Sequence, residues 1–266
     1  MKGEQHVFYT LLSLAVFLPL ILATNTLSVP AELIVFTIGV FVGSLAPDAD
    51  AADSAIMHGL AGGKGAVRTA RRHTVIILPF FGYLIRYLIY YPISALVFIV
   101  SLGRIKPKHR GLLHSLFGTV TAAAILTIYL RLISDLLLAV FIAADVTAAI
   151  DSFLLIFCAG VLFGAILHLI EDSCTHEGVY WLFPFGSVKL SGTLTPGSRK
   201  NWLIAVILGI AAIISLTFGN AYRINAVAGV NGAIATPEMI LPAIMPLLYL
   251  GAAWITAFYI SGTHRG

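Results

Sequence analysis

The chain has little charge. Asp, Glu, Lys and Arg make up 11% of its 266 residues, against 59% in the hydrophobic set, and mean hydropathy is +0.97. A soluble globular protein carries about 25% charged residues, so too few are present to cover a water-facing surface. That shortage excludes a soluble enzyme and a disordered chain. Cysteine is scarce as well: Cys158 and Cys174 form no C-x-x-C pair, which argues against a disulfide-stapled secreted domain and a zinc ribbon. H-E-x-x-H, G-x-S-x-G and the P-loop are all missing, and with them the signatures of zinc proteases, α/β-hydrolases and P-loop nucleotidases. Gly62-Gly63-Lys64-Gly65 lacks the strand and spacing of a phosphate cradle and reads as a flexible basic loop.

What the sequence does have is long apolar runs. A membrane-crossing helix needs roughly 20 such residues, with a range of about 17–25. Six stretches fit: Val7 to Thr24, Val29 to Ala46, Leu112 to Ile133, Phe153 to Ile170, Trp202 to Phe218 and Ile240 to Ile260. Val75 to Leu102 is apolar but interrupted by Pro79, Arg86 and Pro92, and predicts a broken hairpin. Leu136 to Ile150 is short and carries Asp145, which predicts a segment lying along the interface. The first run is long for a signal-peptide core and no A-x-A site follows, so it reads as a retained span. The expected fold is an all-α, polytopic membrane helical bundle. One integral domain covers residues 1–266, with 51–108 as an inserted basic loop plus hairpin and 201–266 as a C-terminal two-span extension.

Lys and Arg collect on the side of a membrane protein that stays in the cytoplasm. Lys64, Arg68, Arg71 and Arg72 follow the second span, Arg104, Lys106, Lys108 and Arg110 precede the third, and Lys189, Arg199 and Lys200 follow the fourth. Arg265 lies near the end, whereas Arg131 belongs to the opposite side. This pattern predicts an inner-membrane protein with both termini in the cytoplasm.

The polar residues follow the same division. His6 precedes the first span, Asp48 and Asp50 end the second, His109 and His114 open the third, and His168 and Asp172 close the fourth. Seven potential ligands from four segments thus share the cytoplasmic face at one depth. Neutral imidazole and carboxylate bind zinc and similar divalent ions. His168 and Asp172 are spaced i, i+4 and project from one side of a helix; Asp48 and Asp50 flank one residue, a spacing that lets one carboxylate bridge two ions. A charge at membrane depth is costly and has a partner or a function. Glu171 is a further candidate, as a base or a supporting partner. His58, His73, Asp53 and His264 read as surface groups, and His176 follows Cys174-Thr175, where the helix should fray.

These pieces occur in a recognisable order: Gly3-Glu4-Gln5-His6, Leu45-Ala46-Pro47-Asp48-Ala49-Asp50, His109-Arg110-Gly111-Leu112-Leu113-His114-Ser115 and His168-Leu169-Ile170-Glu171-Asp172, followed by Thr175, Gly178, Trp181 and Pro184. The pattern resembles the YdjM-type family of LexA-regulated, membrane-bound, metal-dependent hydrolases, itself distantly similar to zinc-dependent phospholipase C and the S1/P1 nucleases. The resemblance covers residues 3 to 50 and 105 to 200; the stretch between Asp50 and His109 is longer than is usual. It implies two or three zinc ions held by His6, Asp48, Asp50, His109, His114, His168 and Asp172. It also implies Asp50 as ligand or base, and Arg110 as the grip on a phosphate. The expected function is hydrolysis of a phosphate ester of a membrane lipid or lipid-linked substrate. A nucleic-acid substrate is left open by the nuclease kinship, though nothing in the basic loops specifies one. The alternative is a transporter or metal-ion handling protein using the same cluster, which should place it near the bilayer midplane and show inverted repeats.

Overall fold

The computed structural model describes residues 1–23, 30–58, 77–106, 110–141, 147–229 and 237–266. In chain order, α1 is Gly3–Ala23, α2 is Pro30–Gly43, a 3-10 turn covers Ala46–Asp50 and α3 is Ala55–His58. Next come α4 (residues 77–100), α5 (Leu116–Phe141), α6 (Thr147–Ser173), α7 (Arg199–Gly229) and α8 (Pro237–Ser261). A two-stranded antiparallel sheet joins β1 (Leu190–Ser191) to β2 (His264–Arg265), with Leu190 opposite Arg265. Among the described residues six helices are long and apolar enough to cross a membrane: α1, α4, α5, α6, α7 and α8. The polytopic all-α architecture therefore stands, but its membership differs from expectation in three places.

First, the second run is not a full span. Pro30 sits at the first turn of α2, where its fixed φ and missing N–H do no harm, and the helix gives way before Pro47. Its 14 residues reach about 21 Å at 1.5 Å each, short of a hydrocarbon core of about 30 Å. What holds α2 in place is intimate packing on α6. A Cβ built on Gly39 or Gly43 would run into the carbonyl oxygens of Phe157 and Val161; one on Gly160 or Gly164 would meet those of Phe36 and Val40. Two G-x-x-x-G pairs thus face each other and let the backbones touch, the device membrane helices use where no hydrophobic force drives association.

Second, the run expected to be a hairpin is one helix. α4 proceeds from Ile77–Tyr83 through a π-helical stretch, Leu84–Tyr90, into Tyr91–Val100. Pro79 falls in the first turn, where no intrahelical donor is needed. Pro92 cannot bond to the carbonyl four residues back, that of Leu88. The Tyr129 hydroxyl of α5 donates to that oxygen at 3.1 Å, so the freed group is satisfied by a neighbouring helix. Arg86 is accommodated too: its Nε donates to the Tyr91 hydroxyl at 3.2 Å and its guanidinium lies over that ring, 5.6 Å from the centroid. Third, no separate segment lies along the interface at Leu136: α5 continues to Phe141 and α6 begins at Thr147, so those residues are helix ends, with residues 142–146 outside the described set.

The remaining helices brace α1. α7 and α8 bury Ile204, Leu208, Trp254 and Ala257 with Tyr9 of α1, and Trp254 Nε1–H donates to Ser13 Oγ at 3.1 Å. At the opposite end of the bundle from the His and Asp residues, Arg131 of α5 pairs with Asp151 of α6 at 2.8 Å.

Candidate metal centre

Four segments meet at one end of the bundle. The first turns of α1 carry His6, the 3-10 turn after α2 carries Asp48, the turn before α5 carries His114, and the last turns of α6 carry His168 and Asp172. All three imidazoles are fully buried or nearly so, at 1%, 0% and 0% exposure, as is Asp172. His6 and His168 stack with ring centroids 3.9 Å apart.

The separations between donor atoms are informative. His6 Nε2 stands 3.5 Å from Asp172 Oδ1, while His168 Nε2 and His114 Nε2 stand 3.5 and 3.6 Å from Asp172 Oδ2. Asp48 Oδ1 is 3.3 Å from His114 Nε2 and 3.7 Å from His168 Nε2. These are longer than the 2.7–3.2 Å of a good N–H···O bond. His6 Nε2 and His168 Nε2 are buried and make no hydrogen bond. Orphaned polar atoms of this kind are costly in a protein interior. Two ligand atoms each about 2.0–2.1 Å from a tetrahedral ion would stand about 3.4 Å apart. The residues therefore fit a cation, in two overlapping triads: His6, His168 and Asp172, and Asp48, His114 and His168. Asp172 turns one oxygen to His6 and the other to His114 and His168, a disposition that suits a carboxylate shared between two ions.

The far nitrogens are anchored. Nδ1 of His168 lies 2.7 Å from the Ser44 carbonyl oxygen. A carbonyl only accepts, so Nδ1 is assigned the proton and Nε2 is left with its lone pair toward the cluster. Nδ1 of His6 lies 2.6 Å from Glu171 Oε2, and Thr10 Oγ1 donates to Glu171 Oε1 at 2.9 Å. Carboxylate or carbonyl support behind a ligating histidine is the usual way a metal site fixes tautomer and ring orientation. Asp50 takes a comparable place behind His114: its Oδ2 lies 3.7 Å from Nδ1 and accepts the Arg110 backbone N–H at 3.1 Å. Asp50 thus stands outside both triads. Burial opposes charge on His114, but the neighbouring carboxylates of Asp48 and Asp50 outweigh it and push the imidazole up to about 9. Burial opposes charge on Asp48 too, and His168, His114 and His6 more than offset it, holding the carboxyl well below its ordinary range.

Arg110 adopts φ +59°, a left-handed conformation uncommon outside glycine. In it, the backbone N–H reaches Asp50 while the side chain turns to the cluster. Its Nη2 lies 3.0 Å from Asp172 Oδ2, and its Nε pairs with the exposed Glu177 at 2.8 Å. The guanidinium lies against Asp172 and beside the solvent-facing Glu177. His109 and His73 lie outside the described residues. His58 bonds the Ala52 carbonyl at 2.8 Å, and His264 that of Gly262 at 3.1 Å; these two, His176 and Asp53 are exposed and belong to neither triad. The sequence reading gave Ser44, Thr10 and Glu177 no role. Only Thr10, four residues after His6 and hence on its helical face, carried a signal.

Fold and site together define a polytopic membrane protein with a buried His/Asp centre at one end of its bundle. The chain belongs to the YdjM inner membrane protein family, whose model matches residues 1–260. No curated protein and no solved structure matches it significantly.

Proposed function

We propose that the protein is a zinc-dependent hydrolase, acting on a phosphate ester of a membrane lipid or lipid-linked substrate at the cytoplasmic face of the inner membrane. The observation that carries this reading is the set of donor atoms held 3.3–3.7 Å apart, with Nε2 of His6 and Nε2 of His168 buried and making no hydrogen bond. His6, Asp48, His114, His168 and Asp172 would hold the ions, with Asp172 shared where two bind. A bound zinc lowers the pKa of its water to about 7 and so supplies hydroxide at neutral pH.

The chain's own residues have separable tasks. Glu171, Ser44 and Asp50 orient the three imidazoles. Solvent reaches the cluster at Asp48, whose side chain is 18% exposed while that of Asp172 is 0%; the reacting side is therefore the Asp48 side. Arg110, 15% exposed beside Asp172, can exchange part of its ion pairing for a phosphate oxygen, a contact guanidinium geometry favours. The cytoplasmic orientation is supported by Lys2, Lys189, Arg199, Lys200 and Arg265, which lie at the cluster's end of the bundle.

The test is elemental analysis of detergent-purified protein combined with phosphate release from phosphatidic acid in mixed micelles. The expected result is bound transition metal, lost in His168→Ala, and hydrolysis reduced in His168→Ala and Asp48→Ala by more than the ~10–100-fold typical of losing a supporting hydrogen bond. Absence of metal after mild purification, or full activity in both variants, would overturn the reading.

A further inference from the structure

The connection between α6 and β1 carries an apolar patch for which the His/Asp cluster has no use. Trp181 to Phe185 form consecutive turns, with Leu182 58% and Phe185 79% exposed. These side chains continue an existing surface. Phe185 meets Phe117 of α5 edge-on, with ring centroids 5.1 Å apart. Leu116, Phe117 and Val120, in the first turns of α5, are themselves 39%, 38% and 46% exposed. Because α5 is long and apolar enough to cross a membrane, those side chains face acyl chains, and the loop extends the same lipid-facing surface beyond the helix end.

The loop is also fixed in height relative to the cluster. The Leu116 N–H donates to the Trp181 carbonyl at 2.9 Å, and Trp181 Nε1–H donates to Ser173 Oγ at 2.9 Å. Leu116 comes two residues after His114, and Ser173 directly follows Asp172. The Lys189 ammonium lies 5.9 Å from the centroid of the Tyr180 ring. Tyr, Trp and a basic residue on a short segment are the composition found where headgroups meet hydrocarbon.

We propose that Trp181 to Phe185 form a membrane-embedded anchor seated at the boundary between headgroups and acyl chains, on the leaflet nearest the cluster. Its occupant is lipid, because the patch is continuous with a lipid-facing helix. The two hydrogen-bonded ties then hold the His/Asp centre at headgroup level. A further step rests on the hydrolase reading: a substrate headgroup would reach the centre by lateral movement within the leaflet, without leaving the membrane.

The anchor is tested without metal or turnover, so its failure is distinguishable from failure of the hydrolase reading. Phe185→Cys and, separately, Leu182→Cys are labelled with an environment-sensitive nitrobenzoxadiazole dye in the full chain, reconstituted in phosphatidylglycerol-containing nanodiscs. Cys158 and Cys174 are buried, and the unsubstituted protein sets their background. Pro196→Cys, on the exposed loop before α7, is the aqueous reference. Both loop positions should emit to the blue of the reference and lose at least half their intensity with lipids doxyl-labelled near the headgroup, while iodide quenches them several-fold less than the reference. Iodide quenching equal to the reference at both positions would overturn the proposal. Protection from iodide without doxyl quenching, together with a cross-linked dimer, would overturn it in favour of contact with a second copy.

Discussion

His168 shows how a single residue serves the site from both ends of its ring. Its Nδ1 is committed to the Ser44 carbonyl at 2.7 Å, so its Nε2 is available as a ligand atom. His6 is set by Glu171 in the same way. Glu171→Ala should therefore lower metal affinity ~10–100-fold while leaving every ligand in place, as measured by competition with a chromogenic chelator; Glu171→Gln, which still offers an oxygen to Nδ1, should retain most of it. His114 adds a dependence on pH. Its imidazole is raised from 6.5 to about 9 by the adjacent Asp48 and Asp50 carboxylates, which outweigh burial. In metal-free protein this pairing contributes stability that is fully present below its ordinary value of 6.5 and lost as pH rises through about 9. A cation must displace that proton, so affinity should climb with pH up to about 9, and calorimetry in two buffers of different ionisation heat should detect the proton released. Most of this site was legible in the sequence, because His and Asp are rare in membrane spans and their clustering at one face stands out. Ser44 was not legible: it contributes a backbone carbonyl, which every residue has. The position of Asp50 behind His114 was not legible either, since spacing alone does not tell which carboxylate lies among the donor atoms.

At the scale of elements, the depth of the centre is set by how closely α2 lies on α6. The facing pairs Gly39/Gly43 and Gly160/Gly164 leave no room for a Cβ, and the Ser44 carbonyl that holds His168 follows directly from that contact. Gly164→Leu should separate the two helices, lower the melting temperature in detergent, with overpacking of this kind costing ~1–3 kcal/mol or more, and remove bound metal although no ligand has been touched. Retention of metal at wild-type stoichiometry would contradict this coupling. In α4, Tyr129→Phe removes the donor that serves the Leu88 carbonyl opposite Pro92. It should cost about 0.6 kcal/mol, the average for side-chain hydrogen bonds between membrane helices, read from unfolding in mixed micelles. Both G-x-x-x-G pairs were present in the sequence, but apolar length dominated its reading and made α2 a full span. The prolines of α4 read as breaks because the partner that satisfies the freed carbonyl sits on another helix, beyond the reach of local pattern.

For the whole molecule, the account requires every cluster segment to share one end of the bundle, and the basic residues to share it too. Cys174 is buried, so a topology probe has to be introduced. Pro196→Cys should react with an impermeant maleimide only from the cytoplasmic side of membrane vesicles, and Asp135→Cys, one turn beyond Arg131 on α5, only from the other. The reverse pattern would move the proposed chemistry to the opposite face. The all-α membrane class and the sharing of one face were legible from composition and charge placement; the identity of the spans was not, because six runs of adequate length can be chosen in more than one way. The central claim is that imidazole and carboxylate from α1, the turn after α2, the turn before α5 and the end of α6 enclose a cation. X-ray absorption at the zinc edge on protein loaded with zinc tests it most directly. The account predicts a shell of nitrogen and oxygen at about 2.0–2.1 Å, with outer-shell imidazole scattering that weakens in His168→Ala. A sulfur shell, or a spectrum of hydrated zinc unchanged by that substitution, would contradict it.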